Sequence, residues 1–228
     1  MHRLAAAVRA GAVLVGLLAA LAPSGPAGAS VLSDSPTLPV LGMPYLPAAG
    51  VGCFAAAGVC ITAGSLTLTS LLSSSFDAAG QTIVTTSAYS GLLTTLAAVP
   101  IALVQLLGTV EQLVQGRGSA TELGRWTTGL VAMSLNGTVL GRNLTLGLDP
   151  AQASTGVSSV APLPGSDGTY VIDSFFDVFF MLTLEGSPPL STTVGPIRGE
   201  LTAVPEPAVL ALLLGSCLML AAVARRRG

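Results

Sequence analysis

Apolar and polar residues alternate with the period of a β-strand along much of this chain. Gly64-Ser65-Leu66-Thr67-Leu68-Thr69-Ser70-Leu71 alternates at period two, with Leu66 and Leu68 on one face and Ser65, Thr67 and Thr69 on the other, the pattern of a half-buried strand. Gln81 to Tyr89 follows the same rule less cleanly. Leu92 to Leu107 is a longer apolar stretch with Pro100 inside it. Proline has no backbone N–H and clashes within a helix, so two strands, or a strand and a turn, are expected in place of one helix. A strand bounded by its glycines is predicted over Gly108 to Gly116, and two more over Gly124 to Leu135 and Gly137 to Leu148. Asn136-Gly137 lies between the last two. Asn and Gly accept the positive φ that a type I′ turn needs, so a hairpin is predicted there.

The clearest strand signal is Thr169 to Leu184. Tyr170, Ile172, Phe176, Val178, Phe180, Leu182 and Leu184 share one face with Ser174, and Asp173, Phe175, Asp177, Phe179 and Glu185 share the other. The first face is assigned to the core. Sixteen residues is long for one strand, so a bend or bulge is expected near Phe176. A final strand is predicted over Val194 to Val204. Strands spaced by Gly, Pro and Asp turns point to an all-β fold, a single antiparallel β-sandwich or barrel-like domain over residues 30–204. Its lead-in, Ser30 to Pro47, carries Pro36, Pro39, Pro44 and Pro47 and reads as extended.

Both ends depart from this pattern. Residues 1–29 combine Arg3 and Arg9, an apolar run from Ala10 to Leu21, the breakers Pro23 and Gly25, and a small-x-small site at Ala27-Gly28-Ala29. That is the layout of a secretory signal peptide, with cleavage between Ala29 and Ser30. The apolar run is too short for a comfortable membrane span. At the other end, Pro205-Glu206-Pro207 precedes an uncharged run from Ala208 to Ala224 and then Arg225-Arg226-Arg227. This run is at the short limit for a transmembrane helix, and the arginines hold its end on the cytoplasmic side. The two prolines keep the preceding chain extended and accessible to a protease.

Pro205, Glu206 and Pro207, the apolar helix and the Arg225, Arg226 and Arg227 cluster together resemble a PEP-CTERM sorting signal over residues 205–228. The resemblance implies recognition and cleavage by exosortase, a membrane-embedded transpeptidase with a catalytic cysteine. Ile172 to Phe179 with Gly195-Pro196, and Gly64 to Leu68 through Ser75-Phe76-Asp77, are similar to a group of exported all-β PEP-CTERM proteins; that likeness implies no activity. The expected route is signal peptidase, then a transient stay in the inner membrane, then exosortase, then the cell surface or the extracellular space.

Composition narrows the chemistry. Residues 30–204 hold four arginines, Arg117, Arg125, Arg142 and Arg198, against ten Asp and Glu, a balance of −6 with no lysine. Phosphate neutralisation needs clustered cations, so nucleic acid is excluded as a partner. The one histidine is His2, inside the leader; the exported domain has no His general base, no His metal ligand and no Ser/His or Cys/His pair. No cofactor is implied. Cys53 and Cys60, in an oxidising compartment, are expected to form a local disulfide, with two free buried thiols as the rival. Cys217 reads as a small residue of the apolar tail.

Asp173 and Asp177 lie on one strand face but ~13 Å apart, too far for one shared ion or a paired acid and base. They remain weak metal candidates, with Asp167 and Glu185 near the ends of the same strand. Trp126 is assigned to the core or sheet surface. Two function classes stand. The first is a non-enzymatic surface or extracellular matrix protein with a structural role or one in binding extracellular polysaccharide. The second is a carbohydrate-active enzyme working with carboxylates alone.

Overall fold

The structure is a computed structural model and describes residues 30–49, 52–193 and 195–203. The expected signal peptide (1–29) and the expected sorting segment (205–228) lie outside the described residues. Thirteen strands follow in chain order: β1 (Val31–Ser33), β2 (Pro44–Ala49), β3 (Gly52–Phe54), β4 (Val59–Phe76), β5 (Gly80–Thr95), β6 (Pro100–Gln115), β7 (Gly124–Val139), β8 (Arg142–Leu148), β9 (Thr155–Pro162), β10 (Tyr170–Val178), β11 (Phe180–Leu184), β12 (Leu190–Ser191) and β13 (Ile197–Leu201). One 3-10 turn, Ala55–Ala57, separates β3 from β4.

Every pairing among them is antiparallel. The order β10-β13-β2-β4-β5-β6-β7 returns through β9, which pairs with both β7 and β10, so eight strands close into a barrel. The remaining strands extend it: β1 beside β13 on the edge of β10, β3 on β4, β8 beside β9 on β7, and β11 with β12. Of the two architectures that the alternation allowed, the chain adopts the barrel.

Period-two alternation fills the interior. Ile83 and Tyr89 of β5, Val104, Leu106, Val110 and Val114 of β6, Leu130 and Leu135 of β7, and Ile172, Phe176 and Val178 of β10 are all buried. The Tyr45 and Phe176 rings meet with centroids 5.1 Å apart. A band of hydroxyls crosses this apolar core: Tyr45 OH donates to Ser174 Oγ (3.3 Å), Ser174 and Ser158 share a hydrogen bond (2.9 Å), and Thr128 donates to Ser158 (3.0 Å).

Several sequence expectations are refined. The core face of 169–184 is as read, but the break falls at Phe179, between β10 and β11, and not near Phe176. Pro100 does end the apolar stretch as a helix: β5 stops at Thr95, a turn follows, and Pro100 opens β6. β6 then runs straight through Gly108, so Gly108 to Gly116 is the second half of a longer strand. The final strand is Ile197–Leu201.

The hairpin predicted at Asn136-Gly137 is a correction. Both residues lie inside β7, Asn136 paired with Leu107 of β6 and Thr145 of β8, and Gly137 with Leu144 of β8. The turn is at Leu140-Gly141, with φ of 53° and 76°, the two positive values of a type I′ turn. Gly137 is required for a different reason: a Cβ there would run into the Gln105 carbonyl oxygen of the neighbouring strand.

The two ends of the barrel are closed differently. At one end Cys53 and Cys60 are disulfide-bonded across β3 and β4. At the other, Arg117 is fully buried. Its guanidinium donates to Gln81 Oε1 (2.8 Å), the Pro36 carbonyl (2.8 Å), the Ala120 carbonyl (2.8 Å) and the Glu122 carbonyl (3.3 Å), and lies 4.9 Å from the Trp126 ring centroid. It pins the proline-rich lead-in, whose Leu38 is also buried, across the barrel mouth.

Candidate functional site

The most chemically varied surface is a groove of about 440 Å³ on the outside of β9, β10 and β13. The outward face of β10 supplies Asp173 and Phe175, β9 supplies Ser159, β13 supplies Arg198 and Glu200, and β7 supplies Arg125. Strand pairing brings them together. Asp177 stands opposite Arg198 and Phe175 opposite Glu200, while Asp173 stands opposite Ser159. Ser30 and Leu201 also line the groove, so the chain enters and leaves the described domain at one place.

Arg198 organises the groove. Its Nε and Nη2 donate to the two Asp177 carboxylate oxygens at 2.9 and 2.7 Å, a fork-on-fork geometry that fixes the guanidinium plane. That plane lies 4.3 Å from the Phe175 ring centroid, a cation–π contact. The Asp177 partner raises the Arg198 pKa above its ordinary value. Asp173 accepts a long hydrogen bond from Ser159 Oγ at 3.5 Å.

The sequence-derived candidates are thereby separated. Asp177 is held by Arg198 and Asp173 leans on Ser159, so the two weak metal candidates have different partners. Glu185 accepts from the Asn143 backbone N–H at 3.1 Å, and Asp167 sits in the turn between β9 and β10, at the opposite end of the β10–β11 strand. Among the described residues, no three of His, Cys, Asp and Glu group where they would hold an ion. The processing residues Pro205, Glu206, Pro207, Arg225, Arg226 and Arg227, and Ala29 on one side of the leader cleavage, lie outside the described residues. Ser30, on the other side, is exposed.

Two other spaces carry less chemistry. A hollow of about 660 Å³ lies under the loop from Asp149 to Thr155. Its carboxylate, Asp149, is bonded to the Ala151 N–H (2.9 Å), which holds its pKa below the usual carboxylate range; that is a turn, not a reactive group. A crevice of about 40 Å³ beside Gly64 reaches the Tyr89 ring.

Sequence reasoning missed Arg117 and underrated Arg198. Nothing in the spacing of four arginines distinguishes the buried one from the exposed ones. The Asp177–Arg198 pair joins residues 21 positions apart and becomes visible only once the register of β10 on β13 is known.

Protein-family models, curated proteins and solved structures were all compared with the chain, and none matches it.

Proposed function

We propose that this is an exported bacterial surface or extracellular matrix protein, trimmed by signal peptidase at Ala29–Ser30 and by exosortase at the Pro205-Glu206-Pro207 segment, with a structural or binding role. The observation that carries the reading is the ordered tail of Pro-Glu-Pro, short apolar run and terminal arginines. The fold is compatible with trimming at both ends. Ser30 and Leu201 border one groove, while Val31 and Leu201 are buried in the barrel wall. Cuts before residue 31 and after residue 203 therefore leave every described strand pair intact.

A binding role belongs on the outer wall. The interior is filled by side chains, whereas the groove offers an oriented guanidinium stacked on Phe175, a second arginine, two carboxylates and a hydroxyl. Such a set can hydrogen-bond the hydroxyls and carboxylates of an extracellular polysaccharide, with the long edge of Phe175 for packing.

Replacing Pro205, Glu206 and Pro207 together with Ala tests the sorting half. The altered chain should accumulate in the inner membrane as unprocessed precursor, seen by fractionation and immunoblot. Normal maturation and release of that variant would overturn the sorting assignment. For the binding half, Arg198→Ala and Arg125→Ala should each weaken retention on polysaccharide prepared from the producing cells, and unchanged retention would remove the groove from the proposal.

A further inference from the structure

The barrel has one long open edge. β5 pairs along all of β4, but on its other side β4 meets only β3 at Val59–Ile61 and β2 at Leu66–Thr67. One further backbone bond, from Gly42 N–H to the Leu68 carbonyl, ends that contact. From Ser70 to Phe76 no strand among the described residues pairs with this edge. All seven residues are exposed, and three are large and apolar: Leu71 at 46%, Leu72 at 56% and Phe76 at 39%.

Unpaired strand backbone is recognised by another extended backbone, which adds one more rung of N–H to C=O bonds. Natural edges are guarded by lysine, proline or an inward charge. This one has no lysine, proline or charge; its one guard is a pair of bulges, at Leu68/Ser70 and Leu71/Ser73. Between Asp34 and Asp77 the chain contains no charged residue at all.

We propose that this edge pairs with the same edge of a second copy, antiparallel about a two-fold axis near Ser73. A two-fold contact is self-complementary and satisfies both open edges at once. Charge selects the copy over a foreign strand. The rest of the domain is acidic, so two copies repel over most approaches, and the neutral Ser35–Phe76 stretch is where they meet without like charges. A strand from a charged partner would find no complementary charge here. Seven residues give a rung about 23 Å long, with Leu71 and Leu72 of each copy set against the serines of the other.

Cysteine cross-linking in the producing cells reads this directly. In a Cys217→Ala background, with Cys53 and Cys60 bonded to each other, Ser73→Cys, Ser74→Cys or Ser75→Cys supplies the single free thiol of the full chain. At least one of the three should migrate as a reducible dimer on non-reducing gels, because residues opposed across such a pair stand within disulfide reach. Thr109→Cys, exposed on β6, should stay monomeric. Adding Leu72→Lys to the cross-linking variant should lower the dimer fraction at least five-fold. If all three serine variants stay monomeric while as protease-resistant as the Thr109→Cys protein, the proposal fails. A cross-link to a protein of different mass also overturns it and assigns the edge to a foreign strand. Neither result bears on the sorting assignment, which the Pro205-Glu206-Pro207 replacement tests separately.

Discussion

The barrel has two unlike walls. β2 to β5 and the first half of β6 form a wall in which Asp77 is the one charged residue between Asp34 and Glu111. Its outside is serine, threonine and bare leucine, with Leu103 and Leu107 at 74% and 69% exposure. The other wall, from the end of β6 through β13, carries all four of the domain's arginines and eight of its ten acids. The groove is on the charged wall and the open β4 edge is on the neutral one. One closed sheet thus keeps two surfaces of different chemistry back to back: charged and polar on one side, neutral with bare leucines and an unpaired stretch of β4 on the other. The buried side chains that pack or latch one wall onto the other, Phe176 and Arg117, should matter most to the fold, and the half-exposed ion pair within the charged wall least.

Phe176→Asp is the severest test. Phe176 belongs to the charged wall but is buried at 3% exposure against Tyr45 of the neutral wall. An unpaired carboxylate there costs several kcal/mol beyond the lost ring, against a typical domain stability of about 5–15 kcal/mol. The variant should be unfolded by circular dichroism at room temperature.

Arg117→Met comes next. Arg117 leaves the end of β6 and joins Pro36 and Gln81 of the neutral side to Ala120, Glu122 and Trp126 of the other. Removing it strands one buried and three part-buried acceptors, at a cost of about 3 kcal/mol, read as a fall in urea midpoint. If the loss is no larger than for Arg125→Met on the exposed groove, the latch is not a tie between walls.

The Cys53–Cys60 bond lies entirely within the neutral wall and closes a separation of only seven residues. Replacing both cysteines with Ala should cost about 2 kcal/mol, the low end for a disulfide, in the same urea titration.

Tyr45→Phe removes the hydroxyl that links β2 to Ser174 of β10, and should cost about 1 kcal/mol at neutral pH. It carries a second signature. Burial pushes the Tyr45 phenol up to about 12, above the ~10 of an unfolded tyrosine. A pKa raised on folding means stability is intact below pH ~10 and is lost as pH rises from there through about 12. The melting temperature should fall across that range, and less steeply in Tyr45→Phe. The Tyr89 phenol, also raised by burial, keeps part of the slope.

Asp177→Asn should do least. Its partner Arg198 is half exposed, at 44%, and surface ion pairs contribute about 0–1 kcal/mol. A loss larger than that of the disulfide would show that the charged wall depends on this pair for its register.

What the sequence made legible follows the period-two rule closely. Where one face is apolar and the other polar, as in β10 and the first half of β4, alternation identified the strand and its buried face. It could not identify closure, since sandwich and barrel strands share that pattern and the deciding contact, β9 on both β7 and β10, is remote in sequence. Asn136-Gly137 misled because Gly serves two needs: positive φ at a turn, and room for a neighbouring backbone. Only the position of Gln105 says which. The groove was half visible through Asp173 and Asp177, but its organiser, Arg198, arrives from β13 by register alone.

The central claim is that this chain is exported and trimmed at both ends to leave the two-walled barrel. Intact-mass spectrometry of the protein recovered from the cell surface and medium tests it most directly. The account predicts a chain beginning at Ser30, lacking the apolar run and arginines that follow Pro207, and lighter by the two thiol hydrogens of Cys53 and Cys60. A mass matching Met1 to Gly228 with all three cysteines reduced would contradict it.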